Sequence, residues 1–213
     1  MTLDLSIDEV LTTTRAVRKR LDVSRPVTRA MLEECLELAL QAPNGSNRNE
    51  WRWIIADDRE TVGKLADEYK AAMGFLHSGE KPSRMYLSGK TPSEDKLLES
   101  AFALPEKLAQ MPAILIPLMP GRSEGSDAGE QAAMWGSILP AVWSFLLALR
   151  SRGLGSVWTT VASRREREIA ELLGIPYEEY TQVGMFPIAY TIGTDFKRAW
   201  RKPVAEVLTY NGY

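Results

Sequence analysis

Ala42-Pro43-Asn44-Gly45-Ser46-Asn47-Arg48-Asn49-Glu50-Trp51-Arg52-Trp53 joins a helical period to a β-prone run, and its reading decides the fold. Upstream, Leu32, Leu36 and Ala39 recur at helical spacing, and Met31, Cys35 and Leu38 widen that stripe. Pro43 cannot continue the helix, and Asn44-Gly45 favour positive φ, so the chain must turn here. Such a turn exposes backbone N–H groups and short polar side chains, which suits close approach to a polar ring or a phosphate. The same residues also make a plain helix-to-strand connection, so the turn alone does not specify chemistry.

Outward from the turn, start and stop signals divide the chain. Ser6-Ile7-Asp8-Glu9 is a capping box, Thr28 caps the helix before the turn, and Asp58 caps the one after it. Asp127-Ala128-Gly129-Glu130 is a second capping box and opens the longest helix, which runs towards Arg152. That helix is apolar nearly all round, which predicts burial centrally or against a second subunit, and Pro140 should kink or break it. Ser163 and Glu166 are read as the start of a short helix that stops at Gly174, and Gly153 as a left-handed cap. Strands are predicted over Trp51–Ala56, Met111–Met119, Ser156–Val161 and Val183–Ile192. Pro112 and Pro117 mark the second of these as irregular or at an edge, since each removes a ladder donor. Ser93 begins a helical stretch that Pro105 interrupts, and residues 74–92 read as an irregular lid or loop. Residues 194–213 form a basic, apolar arm without helical period, which should wrap something, most economically a partner subunit.

Composition narrows the chemistry. The 213 residues are 45% apolar and 25% charged, with a net charge of −2, which describes one globular domain over 1–213. No apolar run reaches the roughly 20 residues of a membrane helix, and Met1-Thr2-Leu3-Asp4 is not a signal sequence, so a cytoplasmic protein without membrane contact is expected. The only cysteine, Cys35, falls on the buried stripe, and the only histidine, His77, has no ligand cluster near it in sequence. Zinc sites built from His and Cys and cysteine–histidine dyads are therefore excluded, leaving an organic cofactor to carry any difficult chemistry. Arg15 to Arg29 is cationic, but aromatics do not interleave it and the total charge is negative, so nucleic acid is not an expected partner. Arg15-Ala16-Val17-Arg18-Lys19-Arg20 by itself reads as a solvated cationic face; the alternative is a phosphate clamp, since arginine forks match phosphate oxygens and small Ala16 lets the backbone come close.

Taken in order, four segments resemble the nitroreductase family of flavin enzymes. They are Arg15-Ala16-Val17-Arg18; Ala42-Pro43-Asn44-Gly45-Ser46-Asn47 running into Trp51; Gly153-Leu154-Gly155 followed by Trp158-Thr159-Thr160; and Arg201-Lys202-Pro203-Val204. The resemblance implies an α+β fold with a mixed central sheet flanked by helices, in an intertwined homodimer with an extended C-terminal arm. It further implies FMN at the dimer interface, NAD(P)H as co-substrate delivering hydride to flavin N5, and a nitroaromatic, quinone or similar small acceptor, with no catalytic side chain and no metal. On that basis Arg15, Arg18 and Arg201, with Arg198 less directly, would meet the FMN phosphate and ribityl chain, and Ala16 and Val17 would give backbone contacts. Asn44, Gly45 and Ser46 would approach the ring edge, and Trp158, Thr159, Thr160 and Val161 would lie near the ring. Ser137 and Pro140 would come from the other subunit. Asn49-Glu50 stand where the family often has Gln-Pro, Ala16 replaces a common serine, and Thr159-Thr160-Val161 is closer to threonine-rich relatives that include reductive dehalogenases. The alternatives are accordingly a specialised member, such as a dehalogenase or metabolite dehydrogenase, or a flavin-binding protein without turnover.

Overall fold

Ser6 opens the first helix, α1 (Ile7–Thr13), with the reciprocal capping box that its spacing to Glu9 allows. The computed structural model describes residues 2–74 and 99–213; the expected lid over 74–92, the helical start at Ser93 and His77 lie almost wholly outside the described residues. Among the described residues, further helices with both ends described are α2 (Arg29–Ala39), α3 (Arg59–Met73), α4 (Pro105–Leu108), α5 (Ala128–Ser151) and α6 (Glu166–Leu173). Thr28, Asp58 and Asp127 accept from the backbone N–H of Met31, Thr61 and Glu130, as their spacing requires.

One sheet contains β1 (Leu21–Asp22), β2 (Arg52–Ala56), β3 (Ala113–Pro120), β4 (Leu154–Ser156), β5 (Tyr180–Gln182) and β6 (Phe186–Thr191). Its ladders are antiparallel, and the parallel component is a single bridge between Ala16 and Ser156. The alternation of β3 assigns the layers. Ile114, Ile116 and Leu118 enter one core with Leu65 and Tyr69 of α3 and Ile169 of α6. Ala113 and Leu115 enter the other with Leu32 and Cys35 of α2 and Phe145 of α5. Helices therefore cover both faces of the sheet.

Several expectations need correction. β3 is central rather than at an edge, because Pro112 precedes it and Pro117 sits in a gap. β6 pairs with Ala113–Leu115 and β5 with Leu118–Pro120, so no ladder donor is demanded at Pro117, whose carbonyl accepts from Val183 N–H at 3.0 Å. The last strand is likewise not continuous: Gly184, at φ 142, breaks it, and a Cβ there would lie 2.6 Å from Trp158 Nε1. The strand expected at Ser156–Val161 lies earlier, at β4, since Val161–Arg165 winds into a 3₁₀ turn and Arg165, not Ser163, precedes α6. Leu38 is half exposed, so the α2 stripe is narrower than its spacing suggested.

Pro140 does not break α5, which runs unbroken for 24 residues. The carbonyl that its ring would deprive is that of exposed Gly136, where water is at hand. This helix is also long and apolar enough to cross a membrane by length and composition, contrary to the reading of the sequence. In the fold, Ile138, Ala141, Val142, Phe145 and Leu149 are buried against α2 and the sheet, so it is the core helix of that layer.

Burial pushes the Cys35 thiol up to about 11. In folded protein it is expected to ignore an aromatic disulfide reagent at about pH 8 and to react once denaturant is added. The folded value lies above the ordinary 9.0, so between these values the unfolded chain ionises and the native one does not. Stability contributed by this group is intact below about pH 9 and falls as pH rises towards 11, and Cys35→Ala is expected to remove that part of the alkaline decline in unfolding curves.

Candidate functional site

The segment leaving α1 runs beside β4, and this pairing places the N-terminal arginines. Val17 N–H donates to Ser156 O at 2.9 Å, and Ala16 bridges the same residue. Arg15 and Arg18 then line an open cleft of about 600 Å³ together with Ala16, Ser156, Trp158 and Arg201. Arg15 Nη1 also donates to Lys197 O at 3.0 Å, tying the start of the chain to the arm that carries Arg201. Three arginines thus line one cavity from both ends of the polypeptide. Ser156 Oγ is buried there without a hydrogen-bond partner among the described residues, although buried hydroxyls are nearly always satisfied.

Trp158 forms a wall of this cleft. Its ring stacks on Phe186 at 5.9 Å with planes 23° apart, and its Nε1–H donates to Val183 O at 2.9 Å. Other predicted residues are placed differently. Val17 is buried in the core and its N–H is already bonded to Ser156. Thr159 is buried, with its hydroxyl and its N–H both donated to Met185 O at 2.6 and 3.0 Å, so it braces the β6 end instead of facing the cavity. Thr160 is exposed, Val161 is buried, and neither lines this cleft; Arg198 is exposed and also outside it.

The turn after α2 forms a second, separate cleft of about 530 Å³, lined by Asn44, Gly45, Ser46, Glu50, Arg122 and Ser137 among others. Gly45 N–H donates to Ser137 Oγ at 2.9 Å, and Ser137 Oγ–H donates to Ala133 O at 2.7 Å. Positive φ falls not on Asn44 or Gly45 but on Ser46, Asn47 and Asn49. Asn44 closes the turn instead: its amide carbonyl accepts from Asn49 N–H and its NH₂ donates to Asn49 Oδ1, both at 3.0 Å. Gly45 is needed for space, since a Cβ would stand 2.9 Å from Ser137 Oγ. Gly45→Ala is therefore expected to push the turn off α5, whereas Ser137→Ala orphans a partly buried N–H and costs about 1–3 kcal/mol. Thermal unfolding of both variants checks this, and the turn should show raised amide exchange in each.

Arg122, which the sequence reading did not single out, anchors the far wall of this second cleft. It donates to Glu166 at 2.8 and 3.0 Å, to Glu124 at 2.6 Å and to Tyr180 O at 2.8 Å, and its guanidinium lies 4.1 Å from the Tyr177 ring centroid. The carboxylates hold its pKa above the ordinary arginine value. Ser156 and Trp143 of the first cleft were missed as well. A serine beside glycine and a tryptophan on an apolar helix carry no local signal; pairing with Ala16 and partial exposure distinguish them only once folded.

Pro140 lines neither cleft but lies between them on α5, whose Ser137 borders one and Leu146 the other. Nine residues of helix put those two side chains about 180° apart in direction and ~13.5 Å apart along the axis. Those predicted site residues that line a cleft thus fall into two groups on opposite sides of a core helix.

Similarity to known proteins extends over nearly the whole chain. An NADH dehydrogenase of Thermus thermophilus is 28% identical over 186 residues, covering 78% of this chain and 81% of that protein. Among solved structures, oxidized iodotyrosine deiodinase bound to FMN and 3-iodo-L-tyrosine superposes with a TM-score of 0.74 at 22% identity, covering 98% of this chain and 100% of the other. An FMN- and NADPH-dependent nitroreductase from sphigopyxis sp. strain HMH gives a TM-score of 0.69 at 21% identity, with the same coverage. At such identity these structures establish the shared fold. The model of the Nitroreductase family matches residues 11–190, from the end of α1 through β6. A match spanning the sheet, the core helix and the first cationic segment settles the lineage: the chain belongs to the nitroreductase family.

Proposed function

We propose that this protein is an FMN-dependent oxidoreductase that takes electrons from NAD(P)H and passes them to a small organic acceptor, at a site completed by a second copy of the chain. The observation that carries the reading is the first cleft, where Arg15, Arg18 and Arg201 converge beside the unpartnered buried Ser156 hydroxyl. A phosphate dianion matches this donor set, since guanidinium forks form short, charge-assisted bonds to its oxygens and a buried hydroxyl supplies one more donor. When bound, FMN supplies hydride acceptance and return, which explains a chain with so little nucleophilic or metal-binding chemistry of its own.

The chain's residues divide the remaining work. The arginines hold the anionic tail, Ala16 lets the backbone approach, and the Trp158 indole, fixed by Phe186 and Val183, walls the cavity. The Asn44–Gly45–Ser46 turn and Ser137 share one cleft, so if either borders the ring from a partner, both do. Opposed clefts across α5 favour a two-fold pairing, in which the turn of one copy closes the arginine cleft of the other. Exposed Trp143, Trp200, Val204 and Val207 supply apolar surface for that contact.

Purified protein should be yellow, elute as a dimer, and bleach on anaerobic addition of NADH or NADPH. Reoxidation by a nitroaromatic, a quinone and a halotyrosine, run in parallel, then identifies the acceptor class. Flavin that binds but resists both nicotinamides would leave a passive flavin carrier; colourless protein that takes up no FMN would end the proposal.

A further inference from the structure

Arg150, near the end of α5, is a buried cation without a carboxylate partner among the described residues. It is only 5% exposed, and Nη1 has no hydrogen-bond partner. Its other contacts are neutral: Nε and Nη2 donate to Thr13 Oγ1 at 3.2 and 3.0 Å, Nη2 donates to Thr194 O at 3.0 Å, and the Phe196 ring centroid lies 5.1 Å from its carbon. No carboxylate touches it among the described residues. Asp195 is bonded to Arg20 at 2.6 Å, Glu9 attracts it only at a distance while engaged in the α1 capping box, and Arg20 is itself a like charge.

A guanidinium held this way is costly unless an anion compensates it. Arg150 lines a small chamber of about 10 Å³ with Phe196, Gly155 and Val17. Thr14, Arg15, Leu146 and Ser156 line both that chamber and the arginine cleft above it. At that volume the chamber holds at most one water. Arg150 and Ser156, which carry the unsatisfied Nη1 and Oγ, both line the chamber, and Ser156 lines the cleft as well.

We infer that Arg150 is a positioning residue for a phosphorylated ligand: a buried charge without a carboxylate contact, beside the cleft, that favours the phosphate dianion through Ser156 and the one-water chamber, without touching the ligand. The inference rests on the phosphate-clamp reading of Arg15, Arg18 and Arg201 and adds a fourth cation from a different element. It gives the buried charge its counter-ion and the orphaned hydroxyl its orientation.

The test compares FMN with riboflavin, which lacks only the phosphate. Dissociation constants are measured by quenching of flavin fluorescence for the wild-type protein, Arg150→Gln and Arg150→Lys. Arg150→Gln is expected to weaken FMN roughly tenfold and leave riboflavin unchanged, whereas Arg150→Lys keeps most of the FMN preference. Thr13→Val, which loosens the guanidinium while keeping its charge, should retain the preference and gives a folded comparison if Arg150→Gln does not fold; in that event Arg150→Lys with lost preference overturns the inference and with kept preference supports it. FMN and riboflavin weakened together, or neither changed, would show a structural role only. Wild-type protein that holds riboflavin as tightly as FMN would remove the phosphate clamp and this inference with it, while a preference undiminished in Arg150→Gln removes the inference alone.

Discussion

Alanine at both Arg15 and Arg201 is expected to strip the protein of FMN. Both side chains line the same cleft, one from the segment after α1 and the other from the arm. Each charge-assisted bond to a phosphate oxygen is worth about 1.5–3 kcal/mol, so the pair accounts for about 3–6 kcal/mol, or about 10²–10⁴ in affinity. Riboflavin affinity should fall much less, because it lacks the phosphate that takes the charge-assisted bonds and keeps only the ribityl contacts. Arg15 also anchors Lys197 O, so the single variant Arg201→Ala separates loss of charge from loosening of the arm. A flavin-to-protein ratio near one in the double variant would refute the clamp.

The second large effect is on stability. Phe186 is fully buried where the sheet meets the α5 layer, and the Trp158 indole stacks on it. Phe186→Ala is expected to cost about 3–5 kcal/mol through lost burial and the cavity left behind. For a chain of this size that lowers Tm by about 10–15 °C. It also removes the surface that orients Trp158, leaving the Val183 carbonyl as the indole's remaining tether. Tryptophan emission should shift to longer wavelength in the variant before global unfolding. Phe186→Leu, which keeps most of the volume, should recover most of the Tm, and loss of stability equal to that of alanine would mean packing at this site is not what holds β6.

Exposed ion pairs matter less. Lys64–Glu60 and Arg167–Glu178 are open to solvent, and pairs of that kind contribute little. Arg122–Glu166 is different, because the carboxylate also accepts from Gln182 N–H at 2.8 Å and so joins the loop before α5 to α6 and β5. Breaking it leaves a partly buried charge without its partner, which is the costlier error.

Elements with short-range causes were legible in the sequence. Capping boxes at Ser6 and Asp127, caps at Thr28 and Asp58, the break at Pro43 and the left-handed Gly153 depend on neighbours a few residues away, and the structure has each of them. The cationic segments at Arg15 and Arg201 were legible for a different reason: clustered arginines limit what can bind beside them whatever the fold does. Long-range pairing decided the rest. Pro117 suggested an edge because the pattern could not reveal that β5 and β6 divide β3 between them. Thr159 looked like a cleft residue until Met185 claimed both of its donors. An apolar run at 128–151 has one composition whether its outer face meets lipid, solvent or another chain, and only packing against α2 and the sheet made it a core helix. Periodicity along the chain therefore marked most of the inward-facing residues, Leu38 excepted, while tertiary pairing across the chain fixed which donors, charges and clefts were left over to act.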